Sequence, residues 1–262
     1  MALPVKINTI TLIGAGNVAW HLAKALSLKE YSIREVWSRT LGPASELADC
    51  CGAKPVTDLD LLDRDVDLYI IAVSDEAIAT LAERFNVDQS LVLHTSGSVA
   101  MNVIAGTSSN YGVLYPLQTF SKYIPVNLDE VPICIEASDN KALILIKQVA
   151  QSLSSDIQQV SSEERLVLHL AAVFASNYSN FMYILASDIL ASKGISFDLL
   201  KPLIAETANK ALRFEPSSIQ TGPAKRGDTN VIDKHLKLLA SMPEYAEIYR
   251  LLAEKLQQRF QQ

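Results

Sequence analysis

Apolar residues recur in two rhythms along the chain. Thr9 to Ile13, Ile33 to Trp37, Leu68 to Val73 and the segment LVLHTSG from Leu91 are short apolar runs, the pattern of strands buried on both faces. Between them, Val18 to Leu28, Ala44 to Cys51 and Ala77 to Phe85 repeat apolar residues at helical spacing. Strand and helix in alternation predict a parallel sheet with crossover helices. Two further strands are predicted at Gly112 to Tyr115 and Pro132 to Glu136, and a helix from Lys141 to Leu153 closes this half.

The rhythm changes after Ser155. Ser161 followed three residues later by Glu164 is a capping-box pattern. It predicts a helix running to about Ser192, stopped by Lys193-Gly194. Helices are also predicted over Asp198 to Arg213, Val231 to Ala240 and from Pro243 to the C-terminus. The expected fold class is therefore an α/β Rossmann domain, doubly wound with a mostly parallel sheet, over residues 1–157. An all-α helical domain over residues 158–262 follows it. No internal repeat or low-complexity linker interrupts the pattern.

Composition narrows the functional classes. A chain of 262 residues with 49% hydrophobic and 20% charged residues has globular composition. Its net charge of -6 argues against a nucleic-acid footprint, which needs a concentrated basic surface. The three cysteines, Cys50, Cys51 and Cys134, lack C-x-x-C spacing and suit a reducing compartment. Ile7 to Ile13 lacks a cleavage pattern and reads as a strand, so no signal peptide is expected. Leu166 to Ala191 is long enough to span a bilayer, yet it carries His169, Ser176, Asn177, Ser179, Asn180, Ser187 and Asp188. It is expected to be a buried helix, and the protein to be cytoplasmic with no membrane partner. No metal is expected, because His21, His94, His169 and His235 show no ligand spacing and no carboxylate cluster accompanies them.

The segment ITLIGAGNVAWHLAKAL carries the most specific chemistry. Gly14-Ala15-Gly16-Asn17-Val18-Ala19 is G-x-G-x-x-A between a buried strand and an amphipathic helix, the context in which the motif binds dinucleotides. Gly14 permits the tight turn, Gly16 lets the backbone approach a pyrophosphate, and the helix start offers free N–H groups. NAD sites place an acidic residue about 20 residues further on. Here the second strand ends in Trp37-Ser38-Arg39-Thr40, whose guanidinium and hydroxyls can receive a 2′-phosphate, so NADP is expected. Val73-Ser74-Asp75 and His94-Thr95-Ser96-Gly97 end the next strands, where ligands of open α/β sheets collect, and are further candidates for cofactor contact. His94 has two readings: a group that polarises a carbonyl or donates a proton, or a strand-end histidine bonded to backbone.

With GAGNVA, WSRT, AVSD, HTSGS and the long helix in place, the whole chain resembles the 6-phosphogluconate dehydrogenase-like superfamily. That group includes pyrroline-5-carboxylate reductases, β-hydroxyacid dehydrogenases, ketopantoate reductases and deazaflavin-dependent NADP reductases. More narrowly, GVLYPLQTFSK, HLAAVFASNYSNF and TGPAKRGD resemble the family that pairs a Rossmann-like domain with a C-terminal domain of unknown function. The resemblance implies an NADP(H)-dependent oxidoreductase acting on a small C=O or C=N compound in a cleft between domains. It also implies a homodimer formed through the helical domain. At about 100° per residue, His169, Ser176, Asn180, Tyr183 and Ser187 form one polar stripe of the long helix, with Asn177 at its edge.

One departure matters. β-Hydroxyacid dehydrogenases and ketopantoate reductases carry a catalytic lysine one turn before an asparagine on this helix, and if Asn177 is that asparagine the position holds Val173. Candidate replacements are His169, Lys225 and Asp228, with His169 ranked first because imidazole is readily tuned for acid–base work. A core histidine satisfied by hydroxyls is the alternative. Lys225 and Arg226 of the TGPAKRGD loop are candidates for holding a substrate anion, Asp228 is a candidate N-cap, and Gln118 and Thr119 are candidates for the substrate pocket. The rival to an enzyme is a non-catalytic NADP-binding sensor or scaffold, which the missing lysine favours.

Overall fold

The structure is a computed structural model that describes residues 6–260. One sheet of eight strands organises the first unit, in the order β3-β2-β1-β4-β5-β6-β7-β8. The strands are β1 (Thr9–Ile13), β2 (Ser32–Trp37), β3 (Lys54–Val56), β4 (Leu68–Ile71), β5 (Leu91–His94), β6 (Asn110–Pro116), β7 (Ile133–Ala137) and β8 (Ile157–Gln159). All neighbours pair in parallel except β6 with β7. The order reverses between β1 and β4, the switch point beside which doubly wound sheets bind ligands.

The helices of this unit are α1 (Asn17–Leu28), α2 (Leu41–Cys51), α3 (Asp75–Arg84), α4 (Asn140–Leu153) and α5 (Ser162–Ala172). Strand alternation sorts them onto two faces. Ile10, Leu12, Leu68 and Ile70 pack with Leu22, Leu47 and Leu145 from α1, α2 and α4. Ile13, Tyr69, Ile71 and Val92 face the other way, against Ile78 and Leu81 of α3. Strands β3 and β8 have no counterpart in the sequence reading, because three residues are too few to show a period.

The chain divides into two compact units, Met1–Asn177 and Tyr178–Gln262. The second unit is helical: α6 (Ser179–Ala191), α7 (Lys201–Arg213), the single turns α8 (Pro216–Ile219) and α9 (Pro223–Arg226), α10 (Thr229–Leu238) and α11 (Pro243–Phe260). Asp228 caps α10, accepting the Val231 N–H at 3.2 Å. No helix among the described residues is long and apolar enough to cross a membrane.

The stretch from Ser162 to Ala191 is not one uniform α-helix. Val173–Tyr178 forms a six-residue π-helical turn. A π-turn holds more than four residues, so it spoils the 100° spacing on which a single stripe from His169 to Ser187 depends. That stripe is corrected accordingly: the polar positions before and after the turn do not follow one α-helical period.

Candidate functional site

The glycine loop lies between β1 and α1, with the Gly14 N–H donating to Trp37 O at 2.8 Å and so locking it to the end of β2. Gly14 holds φ at +124°, and a Cβ there would stand 2.2 Å from the Ala72 carbonyl oxygen, so only glycine lets β1 and β4 close at this turn. At Gly16 the missing side chain serves a different end: a Cβ would meet nothing within 4 Å. That open space belongs to a groove of about 930 Å³, lined by the glycine loop, by Trp37-Ser38-Arg39-Thr40, by Ala72-Val73-Ser74, and by Thr95. Ala15, Asn17 and Val18 also line it, as do Pro43, Leu59 and Leu81.

Three helices begin at this groove without a capping side chain. Gly16 precedes α1, Thr40 precedes α2 and Ser74 precedes α3, and none bonds a first-turn N–H through its side chain. Thr40 and Ser74 are competent capping residues. Elsewhere that competence is used: Asp139 caps α4, Ser161 closes a capping box on α5, and Asp228 caps α10. First-turn N–H groups left open toward a groove fit the phosphates of a dinucleotide, to which helix dipoles add attraction. Arg39 is exposed at the α2 start and makes no hydrogen bond or ion pair among the described residues, with Ser38 and Thr40 on either side. The residues present therefore fit NADP.

A second concavity of about 620 Å³ on the outer side of α1 is lined by Trp20, Lys24, Lys29, Lys122 and Tyr123. Two of its cations are engaged: Lys24 and Lys122 stack on the Trp20 ring at 4.6 and 4.4 Å, and Lys122 pairs with Glu46.

Past Thr95, the loop after β5 turns toward a cluster of buried polar groups. His94 is fully buried. Its Nδ1 accepts the Ser96 N–H at 3.2 Å, and its Nε2 has no partner among the described residues. Burial, then the nearby Arg165 charge, pushes the His94 pKa down to about 4, so the ring is neutral near pH 7. The Ser96 hydroxyl accepts the N–H groups of Ser98 and Val99 at 3.1 and 3.0 Å, and Asp75 accepts the Ser98 hydroxyl. Ser96 and Asp75 thus shape the loop.

This loop brings His169 to Tyr115. The Tyr115 hydroxyl lies 3.1 Å from His169 Nδ1, with the rings edge-on. Gly97 makes the approach possible, since a Cβ on it would stand 2.6 Å from His169 Nδ1 and 2.8 Å from Tyr115 Cζ. Burial raises the Tyr115 pKa to about 12, keeping it a phenol. His169 is half-buried, whereas Asn177 and Asn180 are exposed.

Gln118 and Thr119 occupy an exposed loop in which Gln118 Oε1 accepts the Thr119 N–H at 2.8 Å. In the helical unit, Lys225 donates to the Gln220 carbonyl at 2.8 Å and sits over the Phe260 ring, next to Arg226. Tyr115, Arg165 and Glu136 escaped the sequence reading. The one available signal was that Tyr115 ends a strand next to the strand ending in His94.

Comparison with known proteins adds identity to this geometry. Residues 9–96 match the family described as NADP oxidoreductase, coenzyme F420-dependent, and residues 131–256 match a domain of unknown function, DUF2520. A search of the curated proteins found no match. Among solved structures, a Bacteroides fragilis protein provisionally described as an NADP oxidoreductase is 43% identical over 97% of this chain and 100% of its own, with a TM-score of 0.92. More distant neighbours share the fold. A reductive aminase from Aspergillus terreus is 17% identical, covers 97% of this chain and 93% of its own, and has a TM-score of 0.70. A 1-pyrroline-5-carboxylate reductase from Streptococcus pyogenes is 13% identical, with coverage of 95% and 98% and a TM-score of 0.60.

Proposed function

The chain belongs to the family of NADP oxidoreductases that joins a dinucleotide-binding region to DUF2520, and from that premise we propose that it moves hydride between NADP(H) and a small carbonyl or imine compound carrying an anionic group. The observation that carries this reading is the groove where three uncapped helix starts meet Gly16 and Arg39, with the His169–Tyr115 pair packed against Gly97 of the loop that continues from Thr95. The neighbours' names agree with the carbonyl or imine part of this class, and one with the anion: one structure holds NADPH and the neutral keto ester ethyl levulinate, and the other enzyme is named for pyrroline-5-carboxylate.

The nicotinamide, when bound, supplies or accepts the hydride. The protein's residues divide the remaining work. The N–H groups of the α1 start, from Asn17 and Val18, hold the diphosphate, and Ser38, Arg39 and Thr40 hold the 2′-phosphate. Val73 and Thr95, which line the groove, would contact the sugar and nicotinamide. His169 gives or takes the proton at the substrate heteroatom, and Asn177 orients the substrate. His94, neutral and enclosed, is the backbone-bonded strand-end histidine of the two readings.

The reading extends to assembly. Leu166, Val167 and Leu170 on α5 and Leu203 on α7 are exposed, and a homodimer through these apolar helices would cover them. Leu170→Glu should then give a monomer in sedimentation velocity.

Calorimetric titration with NADPH and then NADH tests the cofactor assignment. Micromolar NADPH binding that weakens by about tenfold or more with Arg39→Ala supports it, and binding of neither cofactor overturns it. A panel of keto acids and imines then tests the chemistry. NADPH oxidation that disappears in His169→Ala at unchanged NADPH affinity is the expected result. Equal turnover in the variant and wild type removes His169 from the mechanism.

A further inference from the structure

His169 stands on the first helix after the sheet, and two independent features converge on it. The first is Tyr115, whose hydroxyl meets Nδ1. Donation from the buried phenol into Nδ1 would leave the ring's own proton on Nε2. The second is a polar cluster one turn earlier, where Arg165, 1% exposed, pairs with Glu136 of β7. Arg165 also donates to the Val99 carbonyl at 2.6 Å and to Ser162 Oγ at 3.2 Å. Glu136 in turn accepts the Ser162 N–H at 3.0 Å and the Ser162 hydroxyl at 2.7 Å. Ser162 Oγ accepts the Met101 N–H at 2.9 Å.

Capping explains only part of this. Ser161 and Glu164 close the capping box, and of the cluster only the Glu136 bond to the Ser162 N–H serves an orphan first-turn group. The Ser162 hydroxyl and the Arg165 fork also bind α5 to β7 and to both ends of the short run Val99 to Met101, which begins two residues after Gly97. Residues four apart on a helix share a face, so the side of α5 that Arg165 fixes is the side that carries His169. A buried guanidinium is a costly way to hold a helix, since apolar packing would serve stability as well or better. What it adds is a fixed geometry.

We propose that Tyr115 and the Glu136–Arg165–Ser162 cluster are the positioning apparatus of His169: Tyr115 sets the tautomer, and the cluster sets the distance between α5 and the Gly97 loop. The imidazole is thereby held with Nε2–H outward as the proton-bearing atom. This rests on the oxidoreductase reading above for its purpose, but not for its geometry.

The ring nitrogens of His169, assigned by comparison with His169→Gln, provide a test that needs no turnover. Above the imidazole titration, wild-type 15N shifts should show one fixed Nε2–H tautomer. Tyr115→Phe, nearly isosteric, should collapse them to the averaged values of a free ring. Ser162→Ala should do the same in part, and Ser162→Thr should restore the wild-type pattern. In kinetics, Tyr115→Phe and Ser162→Ala should lower kcat by roughly tenfold to a hundredfold, the scale of a misplaced catalytic group. KM for NADPH should stay unchanged. Unaltered His169 shifts in Tyr115→Phe would overturn the proposal, as would averaged shifts in the wild type. Fixed shifts that respond to the variants, in a protein turning over no carbonyl or imine, would support the positioning and overturn the oxidoreductase reading.

Discussion

The groove and the histidine cluster occupy neighbouring strand ends of one sheet, yet they are built from different materials. The groove is made of backbone: a turn with no side chains at Gly14 and Gly16, and three helix starts whose N–H groups are left open. The cluster is made of side chains from β6, β7 and α5, joined as a Tyr115–His169 pair and a Glu136–Arg165–Ser162 set. Backbone sites bind a ligand without being consumed by the fold, whereas buried side-chain sites serve fold and chemistry at once. Damage to the groove should therefore show in affinity, and damage to the cluster in stability and turnover.

The largest effect that would sharpen this contrast comes from Glu136→Ala. Removing one partner of the buried pair strands the Arg165 charge and should cost about 3–5 kcal/mol in urea unfolding. A loss below about 1 kcal/mol would mean that the cluster is not structural. Acid comes next. The His94 pKa falls from 6.5 to about 4 on folding, so between those values the unfolded chain binds the proton more readily. Stability is fully present above pH 6.5 and declines as pH falls toward 4, by up to roughly 3 kcal/mol at ~1.4 kcal/mol per pH unit. His94→Asn should remove that slope. An unchanged slope would assign the acid loss to other groups.

On the groove side, Gly16→Ala places a methyl in open space at an ordinary backbone angle, φ -83°. Its cost in stability should stay within about 1 kcal/mol, while NADPH affinity falls by roughly a hundredfold, as expected when a close backbone approach to phosphate is blocked. Gly14→Ala, forced against Ala72 at positive φ, should instead damage folding. Equal behaviour of the two glycines would erase the distinction between turn and cradle. The smallest effect is Arg39→Ala, which should weaken NADPH by about tenfold or more and leave NADH alone, the worth of a charged hydrogen bond. Parallel losses for both cofactors would place Arg39 away from the 2′-phosphate.

The same contrast explains what could be read from sequence. Gly14, Gly16, Ser38 and Arg39 carry their meaning within a few residues of a strand end, as do the Ser161–Glu164 box and the Asp228 cap, so local spacing reveals them. The Tyr115–His169 contact joins residues 54 apart, and Glu136–Arg165 residues 29 apart. No local pattern encodes such pairings; only the sheet order creates them. The π-turn at Val173–Tyr178 was hidden for another reason. Helical periodicity assumes a constant rotation per residue, and a local change of that rotation leaves the apolar spacing on each side intact.

The uncapped starts of α1, α2 and α3 have a consequence for the life of the chain as well as for binding. A side-chain cap contributes on the order of 1 kcal/mol, and Thr40 and Ser74 could provide theirs but do not. The stability forgone is returned only by a ligand, in proportion to the logarithm of its concentration over Kd. Unfolding, and with it exposure to proteases, is therefore coupled to supply: cells depleted of the dinucleotide should clear this protein faster, and replete cells should keep it.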